Sequence, residues 1–214
     1  MTRIKICGLS TPVALDAAVE AGADMAGFVF FPPSPRHLSF EAARGLAAWA
    51  RGRIETVALV VDADDATLDA VVDALRPDLI QLHGAETPGR AVEIRARTGR
   101  RVMKAIGVAG SADAARARDY HNSVDMVLFD AKPPPGAALP GGNGRAFDWD
   151  ALRGVDPGPP WMLSGGLDAG NVGTALAVTK AAAVDVSSGI ERAPGEKDPD
   201  LIRAFVAAVR ASAA

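Results

Sequence analysis

A single thiol, two carboxylates, a guanidinium and two glycine turns fall where acid/base chemistry on an anionic substrate becomes feasible. Cys7, the only cysteine, closes the apolar run Arg3–Cys7, and Asp130 closes the run Val124 to Phe129. Arg36 ends Phe31-Pro32-Pro33-Ser34-Pro35-Arg36, a segment stiffened by three prolines. His83 follows Gln81-Leu82, Asp185 lies in Ala183–Ser187, and Gly165-Gly166 and Ser187-Ser188-Gly189 each follow an apolar run. A thiolate suits proton abstraction, and a carboxylic acid suits proton delivery. A planar guanidinium binds a carboxylate bidentately, and exposed backbone N–H groups cradle phosphate.

Each group also has a structural alternative. Cys7 is either a base or a small buried hydrophobe. If it faces inward on its strand then so does Lys5, while Ile4 and Ile6 face the other way. A cation one layer below the thiol would favour the thiolate, unless Lys5 instead reaches solvent. Asp185 either pairs with Lys5 or contacts substrate. Asp130 either caps a turn or acts as an acid, covered by the long Pro/Gly-rich segment from Ala131 to Ala146. Arg36 is either solvated or a carboxylate ligand, and His83 is a hydrogen-bonded core histidine, a second proton carrier or a residue that orients Asp130. His37 and His121 read as surface residues.

The elements that must position these groups alternate along the whole chain. Strands are expected at Arg3–Cys7, Met25–Phe30, Thr56–Val61, Leu79–Leu82, Val102–Ile106, Val124–Phe129, Trp161–Leu163 and Ala183–Ser187. Helices are expected at Pro12–Glu20, Phe40–Ala50, Ala66–Leu75, Pro88–Thr98, Ala112–Tyr120, Asp148–Leu152, Asn171–Val178 and Pro199–Ala211, with Thr11-Pro12, Ser39 and Thr87-Pro88 as start signals. Eight βα units in 214 residues without a linker predict an α/β fold, a minimal (β/α)8 TIM barrel with a closed parallel sheet forming one domain over residues 1–214. An open doubly wound sheet is the alternative, but Cys7-Gly8-Leu9-Ser10 lacks the glycines of a dinucleotide turn. Asp24-Met25, Asp78-Leu79, Asp125-Met126 and Asp185-Val186 recur at even-numbered strands, as a quasi-fourfold barrel allows. In such a barrel the strand ends converge on one rim, which gathers the candidate residues.

With 23 Lys+Arg against 26 Asp+Glu the net charge is −3, and the basic residues are dispersed, so neither nucleic acid nor a membrane is an expected partner. No apolar run has signal-peptide or membrane-spanning length, and a cytoplasmic protein is expected. One cysteine and three scattered histidines give no disulfide and no metal-ligand spacing.

Taken in order, several segments resemble the phosphoribosylanthranilate isomerase family of tryptophan biosynthesis. They are Lys5-Ile6-Cys7-Gly8-Leu9, Gly27-Phe28-Val29-Phe30, Ser34-Pro35-Arg36, Gln81-Leu82-His83-Gly84, Phe129-Asp130, Gly141-Gly142-Asn143-Gly144, Phe147-Asp148-Trp149, Ser164-Gly165-Gly166-Leu167 and Val184-Asp185-Val186-Ser187-Ser188-Gly189-Ile190-Glu191. The resemblance implies Cys7 as general base and Asp130 as general acid. It implies Arg36 as ligand of the anthranilate carboxylate, Gly166, Ser188 and Gly189 as the phosphate cradle, and Asp185 near the substrate, with His83 also expected at the substrate. The implied reaction is an Amadori rearrangement of N-(5-phosphoribosyl)anthranilate without metal or cofactor. A small phosphorylated substrate bearing anthranilate is then the partner, and the protein a monomer or homodimer. Two departures stand out: Asn143 in place of the family's threonine, and Ala131 after the acid, where Thr or Ser is usual. The alternatives are a histidine-pathway or bifunctional phosphoribosyl sugar isomerase, which carries aspartate at the end of strand one, and a non-catalytic phosphate-binding barrel.

Overall fold

The computed structural model describes residues 1–133, 136, 141, 142, 144 and 146–212. Eight parallel strands close into a barrel: β1 (Arg3–Cys7), β2 (Met25–Phe30), β3 (Glu55–Val60), β4 (Leu79–Leu82), β5 (Arg101–Val108), β6 (Met126–Ala131), β7 (Trp161–Leu163) and β8 (Ala183–Val186). Closure is made by β1, which pairs with β2 on one side and β8 on the other, so Lys5 has both Met25 and Asp185 as register partners. The open-sheet alternative is thereby excluded.

Side-chain alternation assigns the two faces of each strand. Met25, Val57, Leu79, Met103, Met126, Leu128 and Met162 fill the barrel axis, while Ile4, Ile6, Phe28, Val60, Ile80, Val102 and Phe129 pack against the helices. Four of the chain's five methionines thus line the axis, where an unbranched side chain adapts to an irregular space. The helices are α1 (Pro12–Ala21), α2 (Phe40–Ala50), α3 (Asp65–Leu75), α4 (Pro88–Thr98), α5 (Ser111–Ala115), α6 (Val172–Thr179) and α7 (Pro199–Ser212). The expected caps are in place, with Thr11, Ser39 and Thr87 accepting from the backbone N–H of Ala14, Ala42 and Arg90.

Departures from the sequence reading are local. The helix expected over Ala112–Tyr120 is the short α5 running into a 3-10 segment, Arg116–Tyr120, and that expected over Asp148–Leu152 is one 3-10 turn, Trp149–Leu152. Both stretches are too short to bury a continuous apolar face. Strand β6 starts at Met126 rather than Val124 and runs through Asp130 to Ala131, while β8 stops at Val186. After β8 comes a hairpin that the sequence reading lacks, β9 (Glu191–Ala193) and β10 (Glu196–Lys197), whose turn holds Gly195 at φ +87°. A Cβ there would stand 2.5 Å from the Pro35 carbonyl oxygen, so only glycine lets the hairpin lie against the loop after β2.

Three members of the aspartate echo do one job. Asp24, Asp78 and Asp125 accept from the backbone N–H of Ile4, Thr56 and Val102 at 2.8, 2.7 and 2.8 Å, each satisfying a donor on the preceding odd-numbered strand. Asp185, by contrast, sits inside its strand and pairs with Lys5. Because Asp78 also accepts from the Thr56 hydroxyl at 2.9 Å, Asp78→Ala should lower unfolding free energy by about 1–3 kcal/mol in urea denaturation, with turnover unchanged. A loss below about 0.3 kcal/mol would contradict this role.

Candidate active site

The base of the site is built by the β1/β8 register. Lys5 Nζ donates to Asp185 Oδ1 at 2.7 Å, and Ser164, just after β7, donates through its hydroxyl to Asp185 Oδ2 at 2.9 Å. Lys5 is wholly buried, which rules out the solvent-reaching alternative. Cys7 lies on the same face, one pleat higher. A Cβ on the facing residue, Gly27, would be 3.0 Å from the Cys7 sulfur and 3.1 Å from Lys5 Nζ, so glycine there gives both groups their space. Val29 and Leu59 pack against Cys7, with Phe31 and Val61 beside them as an apolar wall.

This wall acts on the thiol. Burial pushes the Cys7 pKa above the ordinary thiol value; Lys5, and more weakly Lys197, pull it down, but not enough to reverse the effect. Lys5 thus favours the thiolate, as strand alternation implies, while burial is the larger influence. Burial also works against the Lys5 ammonium, yet Asp185 and then Cys7 outweigh it and hold its pKa above the usual lysine value.

Asp130 stands on β6 opposite Gly107 of β5. Its Oδ1 accepts from the Ala131 N–H at 2.8 Å, and its Oδ2 is 3.2 Å from His83 Nε2. Gln81 Nε2 in turn lies 3.0 Å from His83 Nδ1. His83 therefore touches Asp130 and is not an isolated core residue. Gly141 rests on this pair so closely that a Cβ would meet His83 Nε2 at 2.5 Å and Asp130 Oδ2 at 2.6 Å. Asn143 lies outside the described residues.

Arg36 is buried, not solvated. Its backbone N–H donates to the Ser34 hydroxyl at 3.1 Å, and its Nε and Nη2 donate to Glu191 Oε1 and Oε2, both at 2.7 Å. Lys197 Nζ donates to Glu191 Oε1 at 2.7 Å, to the Ser187 carbonyl at 2.9 Å and to the Ser187 hydroxyl at 3.1 Å. Burial opposes ionisation of Glu191, but the hydrogen bonds from Arg36 and the Lys197 charge hold its pKa below the ordinary value. Neither Glu191 nor Lys197 was singled out as functional from sequence. The available signals are the place of Glu191 at the end of the Val184 to Glu191 segment and the turn dipeptide Pro194-Gly195 between two short charged runs.

Cys7, Arg36, His83, Asp130, Gly166, Asp185 and Ser188 all line one cleft at the C-terminal end of the barrel, together with the apolar wall. Gly189 lies behind its surface, where a Cβ would collide with the Leu167 carbonyl oxygen. Among the described residues, the backbone N–H groups of Gly166, Ser188 and Gly189 have no protein acceptor. The cleft thus offers a thiol and a carboxylate across its mouth, a cation near the apolar wall, and unpaired N–H groups after β7 and β8. Alkylation of Cys7 by iodoacetamide should rise with pH to a midpoint above the ordinary thiol value. Lys5→Met should move that midpoint further up, because it removes the nearest stabilising cation. A midpoint below the ordinary value would contradict the burial argument.

Comparison with known proteins places these features in a family. The family model described as N-(5'phosphoribosyl)anthranilate (PRA) isomerase matches residues 4–208. A protein of Parvibaculum lavamentivorans named N-(5'-phosphoribosyl)anthranilate isomerase is 59% identical over 210 residues, covering 97% of this chain and 98% of that one. The crystal structure of phosphoribosyl anthranilate isomerase from Thermotoga maritima superposes with a TM-score of 0.86 at 34% identity, covering 99% of this chain and all of that one. A crystal structure of such an isomerase in complex with reduced 1-(o-carboxyphenylamino)-1-deoxyribulose 5-phosphate gives a TM-score of 0.85 at 34% identity, with the same coverage.

Proposed function

The chain belongs to the N-(5'-phosphoribosyl)anthranilate isomerase family and is an aldose–ketose isomerase of tryptophan biosynthesis, and from this premise we propose that Asp130 and Cys7 carry out its Amadori rearrangement as acid and base. The observation that carries the proposal is the placement of a buried thiol beside the Lys5 ammonium, across one cleft from a carboxylate held by His83. The histidine-pathway and non-catalytic readings give way to it.

Asp130 protonates the ribose ring oxygen, the C1–O bond breaks, and the nitrogen lone pair forms the C1=N bond of a cationic Schiff base. That cation acidifies the C2 hydrogen. Cys7, as thiolate, takes the proton, and the C2–H electrons form the C1=C2 bond of an enolamine. Protonation at C1 and loss of the C2 hydroxyl proton complete the ketone. Burial raises the Cys7 pKa, and Lys5 opposes it by stabilising the reactive thiolate from below. The substrate's own imine is the electron sink, so the sequence of steps calls on no cofactor.

Positioning comes from the two ends of the substrate. The unpaired N–H groups of Gly166, Ser188 and Gly189 suit the phosphate. Arg36 suits the anthranilate carboxylate, and the wall of Val29, Phe31, Leu59 and Val61 suits the aryl ring. Asp185, already bonded to Lys5 and Ser164, faces the sugar between them. All these groups come from the one barrel domain, so a monomer suffices and a homodimer would add none of them. A cytoplasmic location agrees with a biosynthetic enzyme family, and among the described residues no helix is long and apolar enough to cross a membrane.

Turnover followed by loss of substrate fluorescence tests the assignment. Cys7→Ala and Asp130→Asn should each lower kcat by about 10²-fold or more, and full activity in either variant would remove that residue from the mechanism. Arg36→Lys, which cannot bind bidentately, should raise KM with a smaller effect on kcat. An unchanged KM would take Arg36 out of the carboxylate site.

A further inference from the structure

Arg36 does not meet the cleft as a free side chain. Glu191 occupies its Nε and Nη2 from behind through both carboxylate oxygens, in the paired geometry that restrains a guanidinium most strongly. Nη2 also donates to the Gly142 carbonyl oxygen at 3.5 Å, which leaves Nη1 as the guanidinium nitrogen without a protein acceptor among the described residues; a Cβ on Gly142 would stand 2.9 Å from it. Glu191 is held in turn by Lys197, and Lys197 bonds to both oxygens of Ser187 at the end of β8. An unbroken chain of part-buried contacts therefore joins the guanidinium to the strand end that opens the N–H cradle. The chain contains two basic groups and one carboxylate; burial lowers the Lys197 pKa while Glu191 opposes that, so the surplus positive charge rests on the guanidinium.

We propose that Glu191 is a positioning residue that sets selectivity for the aryl carboxylate. It presents one edge of Arg36 to the substrate and, through Lys197, fixes that edge relative to the phosphate cradle. The inference rests on the reading of Arg36 as the carboxylate ligand. Neutralising Glu191 has two opposed consequences. It uncovers positive charge, which strengthens binding of any small anion, and it releases the guanidinium, which weakens binding of a substrate that needs two anionic ends at a set separation. A merely structural ion pair would weaken both kinds of ligand together.

The test measures KM, kcat and the competitive inhibition constant of inorganic phosphate for wild type, E191Q, E191D and R36K, each shown to be folded by circular dichroism. E191Q should raise KM about tenfold while kcat changes less than about threefold, with phosphate inhibiting as well as or better than in wild type. E191D, which withdraws the carboxylate by one methylene, should raise KM about threefold, and it carries the test alone should E191Q not fold. A wild-type KM in the folded variants, or a parallel weakening of inorganic phosphate, would overturn the proposal. If R36K itself leaves KM unchanged, the carboxylate reading fails; if R36K raises KM and E191Q does not, only the role of Glu191 fails.

Discussion

The buried pair Lys5–Asp185 lies on the seam where the last strand meets the first, and the rest of the site is arranged around it. Withdrawing an ammonium and a carboxylate from water costs several kcal/mol per ion, offset only if both are well bonded. Here Asp185 has one oxygen on Lys5 and the other on the Ser164 hydroxyl. Loss of either charge would leave its partner buried and uncompensated, so the pair enforces the β1/β8 register as well as accompanying it. That register places a cation directly beneath Cys7.

The remaining polar groups form two further units, each anchored away from the reacting centre. Gln81, His83 and Asp130 make a chain across β4 and β6, while Arg36, Glu191, Lys197 and Ser187 make another across the loop after β2 and the terminal hairpin. Between them the apolar wall from β2 and β3 excludes water from the thiol. The same wall that suits an aryl ring also pushes the thiol pKa up. Under the proposed roles, substrate binding and base strength are governed by one set of side chains, with Lys5 as the counterweight.

How much of this was legible in the sequence depended on the range of the interaction. Strands declare themselves through short, nearly continuous apolar runs, and α1, α2 and α4 through capping residues that act within a single turn. Cys7, Asp130 and Arg36 stood out because each ends or follows such a run. Glu191 and Lys197 did not, because their meaning lies in contacts with Arg36 across 155 positions and with Ser187 across a hairpin. The state of Cys7 is not legible in the sequence for a related reason. Pleat periodicity revealed Lys5 beneath it, whereas the burial that outweighs Lys5 depends on Val29 and Leu59 from other strands. The aspartate echo likewise mixes three acceptors at strand starts with one aspartate paired to Lys5 inside its strand, since a dipeptide pattern carries no register.

Transfer of the C2 hydrogen to the Cys7 sulfur is measured most directly by a single-turnover experiment on substrate carrying deuterium at ribose C2. Wild-type enzyme should cleave the C–D bond with a primary isotope effect, and Cys7→Ala should retain the label at C2 over the same interval. Loss of the label from C2 at the wild-type rate in Cys7→Ala would contradict the assignment of Cys7 as the base.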